Sequence, residues 1–513
     1  MENKNILILV LVISSIIRII LFGIVGWTIL GADVGRFATI SHTMFLKGEI
    51  TTNLQPYDMA TGFFYFPGVY LLPLTFEYLG IDPITTITIF TFIFSILSIP
   101  IVYKIMKNFL EEKQALIASA FYAFALDFVL VFCFFGMFPY GFSSFFFLIV
   151  LWQLLELFFN NKNNFWILLI GMIGIVAFHW FILLNIIIVL LTFLTYEYTK
   201  NRSFVQNKKI LKQTFLAIII AFLLFSPVIV PSMKYVILGR VPENVIDIFM
   251  FTAGREKFSL LEKISTLFIV SYVGTIPSGI LLGCLVLLIV SAKKLIKEKA
   301  FFWILFLIYF TIHSATIFNE LNLLRVTTFL WLPYIFIFGY SFKKYKYLLF
   351  IPLLFIIPSP SPIYLAQCLT YRPEMFVPLV DFNAFHRATD FIKNNIPKDA
   401  ILLGDGGGSG CQGASAAYSE RIFPLTSRRT FYFTDYCWAE YNRSEFVKRV
   451  DIYRRFSINP DNNVINELKE YGVNYIFLSD KKRVGFDPKY YVNNSNFEVV
   501  YDDGTDFKIF RIK

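Results

Sequence analysis

The chain has 513 residues, 57% of them hydrophobic, and a mean hydropathy of +0.63. Soluble domains average roughly 45–50% apolar residues, so this excess argues against a soluble enzyme and for a membrane protein. The formal net charge of +10 does not indicate nucleic acid, because the basic residues sit mostly between apolar segments, where they orient spans.

Lys4 precedes an apolar run from Ile6 to Leu30. That run exceeds a signal-peptide core of about 7–15 residues, and no small-x-small site precedes Asp33, so it reads as an uncleaved first span. A span takes roughly 20 apolar residues, and on that measure about eleven are expected. They lie near 5–30, 83–103, 114–135, 139–159, 165–179, 180–198, 213–233, 264–291, 301–317, 326–341 and 347–364. The apolar stretch Phe66–Leu79 contains Pro67, Gly68, Pro73 and Glu77, and reads as a helix at the interface or dipping into the bilayer.

With a cytosolic N-terminus, the inner loops hold about 17 basic residues and the outer loops before residue 365 about 8. The expectation is a multi-pass protein of the plasma membrane. In this orientation the loop after the first span and the whole tail face outward. The tail, residues 365–513, is richer in charge. "FNAFHRATDFIKNN" reads as an amphipathic helix, "AILLGD" as a buried strand, "NNVINELKEYG" as a helix ending near Gly472 and "NYIFLS" as a strand. "FEVVYDDGTDFKIFRI" reads as a hairpin around Asp503-Gly504. The expected fold is therefore an α-helical polytopic membrane domain over 1–364, with a first outer loop at 31–82, followed by a small extracytoplasmic α/β domain over 365–513.

Cys133 and Cys284 lie in spans and read as small apolar residues. Cys411 and Cys437 both fall in the exported tail, where an oxidising compartment permits a disulfide. No Cys/His spacing suggests zinc. "GDGGGSGCQG" places Gly408, Gly410 and Gly413 at G-x-G-x-x-G spacing with Asp435 further on, a weak match outside the cytosol. It reads first as a flexible turn packing against the membrane domain and, second, as a loop on the acceptor side of a cleft. Asn442 and Asn493 begin N-glycosylation sequons on the outer side.

The stretch after the first span holds Asp33, Arg36, His42 and Glu49. A carboxylate at the lipid–water boundary is partly desolvated, which raises its pKa and makes it a better base. From local sequence alone the reading to prefer is a solvated loop acid or an N-cap for the following helix. Arg18 and Asp127 sit inside expected spans, where charges pair or face a cavity, and they read as a structural pair between spans one and three. His179 ends span five, and His42 is placed nearer Asp33; both are candidate substrate contacts, as is Arg36. His313 and His386 receive no role.

"GADVGRF" (31–37) and "FYFPGVYLLP" (64–73), with the order of spans and the tail, resemble the GT-C superfamily of integral-membrane glycosyltransferases. That superfamily includes protein O-mannosyltransferases, aminoarabinose transferases and oligosaccharyltransferase catalytic subunits. The resemblance implies a donor sugar on a polyprenyl (dolichyl-type) phosphate, a glycan, lipid or protein acceptor, and a single inverting displacement with Asp33 as the catalytic base. The leaving lipid phosphate needs fixed positive charge. Arg325, in "NELNLLRV", is the first candidate because its planar fork donates twice, and Arg240 and Arg255 follow. Oligosaccharyltransferases carry a second acidic motif that helps hold a divalent metal. Here the corresponding loop, "CFFGMFPYGFS", has no acid, so no essential metal or other cofactor is expected. The alternative reading is a transporter, flippase or assembly factor for lipid-linked glycans.

Overall fold

The computed structural model describes residues 3–24, 32–51, 61–62, 66–125, 127–134, 138–162, 164–179, 182–200, 205–237, 278–316, 329, 331–342, 382–404, 419–431, 439–440, 443–479, 491, 494–504 and 507–513. Helices α1 (Asn3–Ile24) and α2 (Ala32–Lys47) lead into α3 (Pro67–Glu77) and α4 (Pro83–Lys107). The bundle continues through α5 (Glu112–Ala125), α6 (Phe128–Phe134), α7 (Phe138–Asn160), α8 (Phe165–Phe178), α9 (Ile182–Thr199) and α10 (Val205–Ile237). Helices α11 (Ser278–Leu295), α12 (Phe301–Thr316) and α13 (Trp331–Ser341) complete its described part.

Among the described residues, six helical stretches are long and apolar enough to cross a bilayer: Asn3–Gly23, Pro83–Lys107, Glu112–Leu130, Phe138–Asn160, Ile182–Thr199 and Lys208–Val230. Helices α8, α12 and α13 are shorter pieces of expected spans, and the expected span at 347–364 lies outside the described residues. The lipid-facing side of α1 is exposed along Ile8, Leu9, Val12, Ile16 and Ile20, as a helix solvated by hydrocarbon requires. At only 11 residues, α3 is too short to span, and Pro67 begins it where a missing N–H costs nothing.

The stretch expected as one span over 114–135 is interrupted at Asp127. This residue caps α6, its Oδ1 accepting from Leu130 N at 3.1 Å. The same carboxylate pairs with Arg18 of α1, and both side chains are fully buried. Ser95 of α4 donates to Asp127 Oδ2 at 2.8 Å and Tyr122 to Oδ1 at 3.1 Å. Arg18 also donates to the Ser14 carbonyl at 3.0 Å and to Ser95 Oγ. The charges expected to pair across spans do so, with hydrogen bonds filling their remaining capacity.

The tail domain holds α14 (Phe382–Asn395), α15 (Ser419–Thr426), α16 (Arg443–Ile458) and α17 (Asn462–Glu470). Strands β2 (Ile401–Gly404), β3 (Arg429–Thr430), β5 (Val473–Ser479), β6 (Phe497–Asp502) and β7 (Phe507–Ile512) form one sheet in the order β3-β2-β5-β7-β6. β2 runs parallel to β3 and β5, whereas β7 is antiparallel to both β5 and β6. Alternate strand residues feed two cores. Leu402, Phe477 and Ile509 pack with Phe385 and Ala388 of α14, and also with Leu21 and Phe22 of α1. Leu403, Ile476 and Phe510 pack with Ile452 and Phe456 of α16 and Leu468 of α17. The sheet is thus covered by helices on both faces, and one layer rests on the membrane bundle. A second tie is the ribbon of β1 (Thr61–Gly62), from the first loop, with β4 (Ala439–Glu440) of the tail; Thr61 is opposite Glu440 and Gly62 opposite Ala439.

Candidate active site

The first loop folds over the end of the bundle that carries the tail domain. Its helix α2 is bounded by Gly48, whose φ of +66° ends the helix in a left-handed turn. Asp33 and Arg36 lie in its first turns, inside the helix rather than before it. Residues four apart share a helix face. Phe37, one turn after Asp33, is buried and packs edge-on against Phe138 at the start of α7, with ring centroids 5.6 Å apart. Phe37 thereby fixes this turn of α2 against the bundle.

An aromatic cluster joins the start of α3, α7 and the end of α8. Phe66, before α3, is 4.5 Å from the ring of His179 at the end of α8, and Tyr140 of α7 meets the same imidazole edge-on at 5.3 Å. Tyr140 also reaches Phe329 at 6.3 Å. His179 is 1% exposed, and its carbonyl accepts from Ser143 at 3.2 Å. A Cβ at Gly68 would fall 2.8 Å from the Ala177 carbonyl oxygen, so glycine lets α3 close onto the end of α8.

His42 is not beside Asp33, contrary to the expectation from sequence. Nine helical positions amount to about 13 Å along the axis and half a turn around it. His42 instead bridges two partners. Its Nδ1 pairs with Glu77 of α3, and its Nε2 is 2.9 Å from Ser427 Oγ at the end of α15. Burial is the main influence on the Glu77 carboxyl and, aided by Asp82, holds it above the ordinary carboxylate range against the pull of His42. Burial likewise raises the Tyr70 phenol on α3.

Sequence reasoning overlooked Glu77 and Ser427. An acid inside the apolar stretch Phe66–Leu79 was the available signal, since a buried charge demands a partner. Ser427 gave none, being 385 residues from His42 in the chain. Arg325, Arg240 and Arg255 lie outside the described residues, as do Cys411, Cys437, the glycine-rich 405–418 segment and both sequon asparagines. Among the described residues no three His, Cys, Asp or Glu side chains converge as metal ligands would.

No protein-family model matches the chain, and no curated protein matches it in sequence. Solved structures do match its fold. The apo oligosaccharyltransferase of Archaeoglobus fulgidus superposes with a TM-score of 0.55 at 12% identity, over 93% of this chain and 69% of that one. ArnT from Cupriavidus metallidurans, bound to undecaprenyl phosphate, superposes at 0.54 and 12% identity over 99% of this chain and 98% of that one. The mycobacterial arabinofuranosyltransferase AftD gives 0.54 at 10% identity, with all of this chain spanning 40% of that protein. These neighbours are GT-C glycosyltransferases, and this chain is a multi-pass membrane protein with the GT-C fold.

Proposed function

We propose that the protein transfers a sugar from a polyprenyl phosphate donor to an acceptor on the extracytoplasmic face of the plasma membrane, with Asp33 as the base. The observation that carries this reading is the place of Asp33. It lies in the first turn of a helix whose next turn packs Phe37 onto Phe138 of α7, the helix that also carries Tyr140, in a fold that ArnT shares while holding undecaprenyl phosphate.

In the step, the Asp33 carboxylate takes the proton of an acceptor hydroxyl or amide. The acceptor atom forms its bond to the anomeric carbon from the face opposite the leaving group. The bond from that carbon to the phosphate oxygen breaks, and the electron pair leaves with the lipid phosphate, inverting the centre. Arg325, four residues before Phe329 in sequence, neutralises the charge developing on that phosphate, with Arg240 and Arg255 as further anchors. Arg36 shares the opening turns of α2 with Asp33 and serves the substrate there. The depth of His179 suits it to shaping the wall under the sugar. No step is routed through a metal.

The test is mass spectrometry of surface glycoproteins, glycolipids and polyprenyl-linked sugars from host cells, comparing wild type with a normally expressed Asp33→Asn variant. A glycan one sugar shorter, with donor lipid accumulating, is expected. Unchanged glycans in Asp33→Asn beside altered glycans in a gene deletion would overturn the transferase reading in favour of lipid-linked glycan transport or assembly.

A further inference from the structure

The contact of Ser427, His42 and Glu77 joins three elements far apart in sequence. His42 comes from α2, Glu77 from the last turn of α3, and Ser427 from the residue after α15 in the tail domain. His42 and Glu77 are both buried, so neither ring nitrogen of His42 faces bulk water. Phe423 of α15 closes over the imidazole edge-on at 5.1 Å, and Phe45 of α2 stacks beside it at 6.2 Å.

Ser427 is held in an unusual backbone conformation. Its φ is +57°, the left-handed region in which helices end, usually on glycine. Its N–H closes that cap on the Phe423 carbonyl at 2.8 Å. Glycine would make this turn with less strain, but it has no hydroxyl to reach His42.

The atoms are ordered as in a nucleophile–base–acid relay, so acyl-transfer chemistry must be considered. A relay of that kind needs donors for the developing oxyanion. Here the adjacent donors are engaged. Ser427 N–H is in the cap, Arg428 N–H donates to Thr426 Oγ1 at 3.2 Å, and the Arg428 guanidinium donates to the carbonyls of Ile396, Lys393 and Thr426.

We propose that Glu77–His42–Ser427 is an interdomain latch and that His42 is a positioning residue. It clamps the tail domain onto α2 and thereby sets where α2 presents Asp33. The second half of this statement rests on the transferase reading above; the latch itself does not.

The test uses the full-length protein in lipid nanodiscs, with His42→Ala, His42→Gln and Ser427→Gly variants. Ser427→Gly removes the hydroxyl and suits the left-handed backbone. Hydrogen–deuterium exchange is read over residues 32–47 and 419–426, and host glycans are profiled for the same variants and for Asp33→Asn. Faster exchange in both segments is expected for His42→Ala and for Ser427→Gly, with no further increase in the double variant. Displacing a catalytic group by about 1 Å can cost on the order of 100-fold in rate, so the share of completed glycan should fall, with about 100-fold as the upper bound. His42→Gln, which still donates to Glu77, should recover part of it.

Exchange unchanged in both segments would overturn the latch, whatever Asp33 does. Faster exchange with normal glycans, while Asp33→Asn blocks transfer, would overturn the positioning role and leave the transferase reading standing. Normal glycans in Asp33→Asn would remove that reading and the positioning role with it, leaving exchange to decide the latch alone. Covalent labelling of Ser427 by a fluorophosphonate probe would overturn the proposal in favour of an acyl-transfer site.

Discussion

Arg18 shows what a charge in a bilayer requires. Its guanidinium is fully buried, and Asp127, Ser95 and the Ser14 carbonyl satisfy it. Removing one member of such a pair leaves the other charged in hydrocarbon, at a cost of about 3–5 kcal/mol. Arg18→Ala should therefore cut the yield of folded protein much more than the activity of each folded molecule. Near-normal yield with lost activity would contradict this, and yield and glycan output together decide it. Glu77 gives a second test at this scale. Burial raises its carboxyl above the ordinary 4.5, so folding favours the protonated acid. The resulting stabilisation is complete below pH 4.5 and is lost as pH rises through the raised value. Glu77→Gln keeps an acceptor for His42 and never ionises. Its melting temperature in detergent, relative to wild type, should climb as pH rises from 4.5 toward neutrality; a difference independent of pH would refute the assignment. Of these residues, the pairing of Arg18 with Asp127 was legible because two opposite charges stood in spans with few alternatives. His42 was misplaced because proximity in sequence does not fix which face of a helix a residue occupies.

Elements met their sequence expectations where the signal was local. The hairpin was marked by Asp503-Gly504, and Gly504 takes φ +75° while its N–H bonds Asp502 Oδ1 at 3.0 Å. Helix α17 starts on an Asp461 cap, bonded to Val464 N at 2.9 Å, and stops at Gly472 with φ +76°. The break between α5 and α6 was not legible, because an apolar run hides a cap whose partner, Arg18, comes from another helix. Packing at the α3–α8 contact is testable in the same way. Gly68→Ala would place a methyl group 2.8 Å from the Ala177 carbonyl. Overpacking of this kind costs about 1–3 kcal/mol, so the melting temperature should drop by several degrees. Gly23→Ala, where the added carbon meets nothing within 4 Å, is the control and should be neutral or slightly stabilising. Equal melting temperatures for the two variants would show that α3 does not rest on α8 as described.

At the scale of the molecule, composition and span order were enough to reach the GT-C architecture, although identity to its structural neighbours is only 10–12%. A bilayer constrains helix length and loop charge far more than side-chain identity, so architecture persists where motifs fade. The contacts between first loop and tail were not legible, since neither the β1–β4 ribbon nor the His42–Ser427 bond leaves a local pattern. That bond spans 385 residues of chain, and it has a consequence for biogenesis. At a synthesis rate of about 5–20 residues per second, roughly 20–80 s separate the emergence of its two ends. Through that interval α2 exists without the residue that bonds His42. If the proposed latch seats α2 as inferred above, any activity that depends on α2 should begin only once the tail domain has been made and folded.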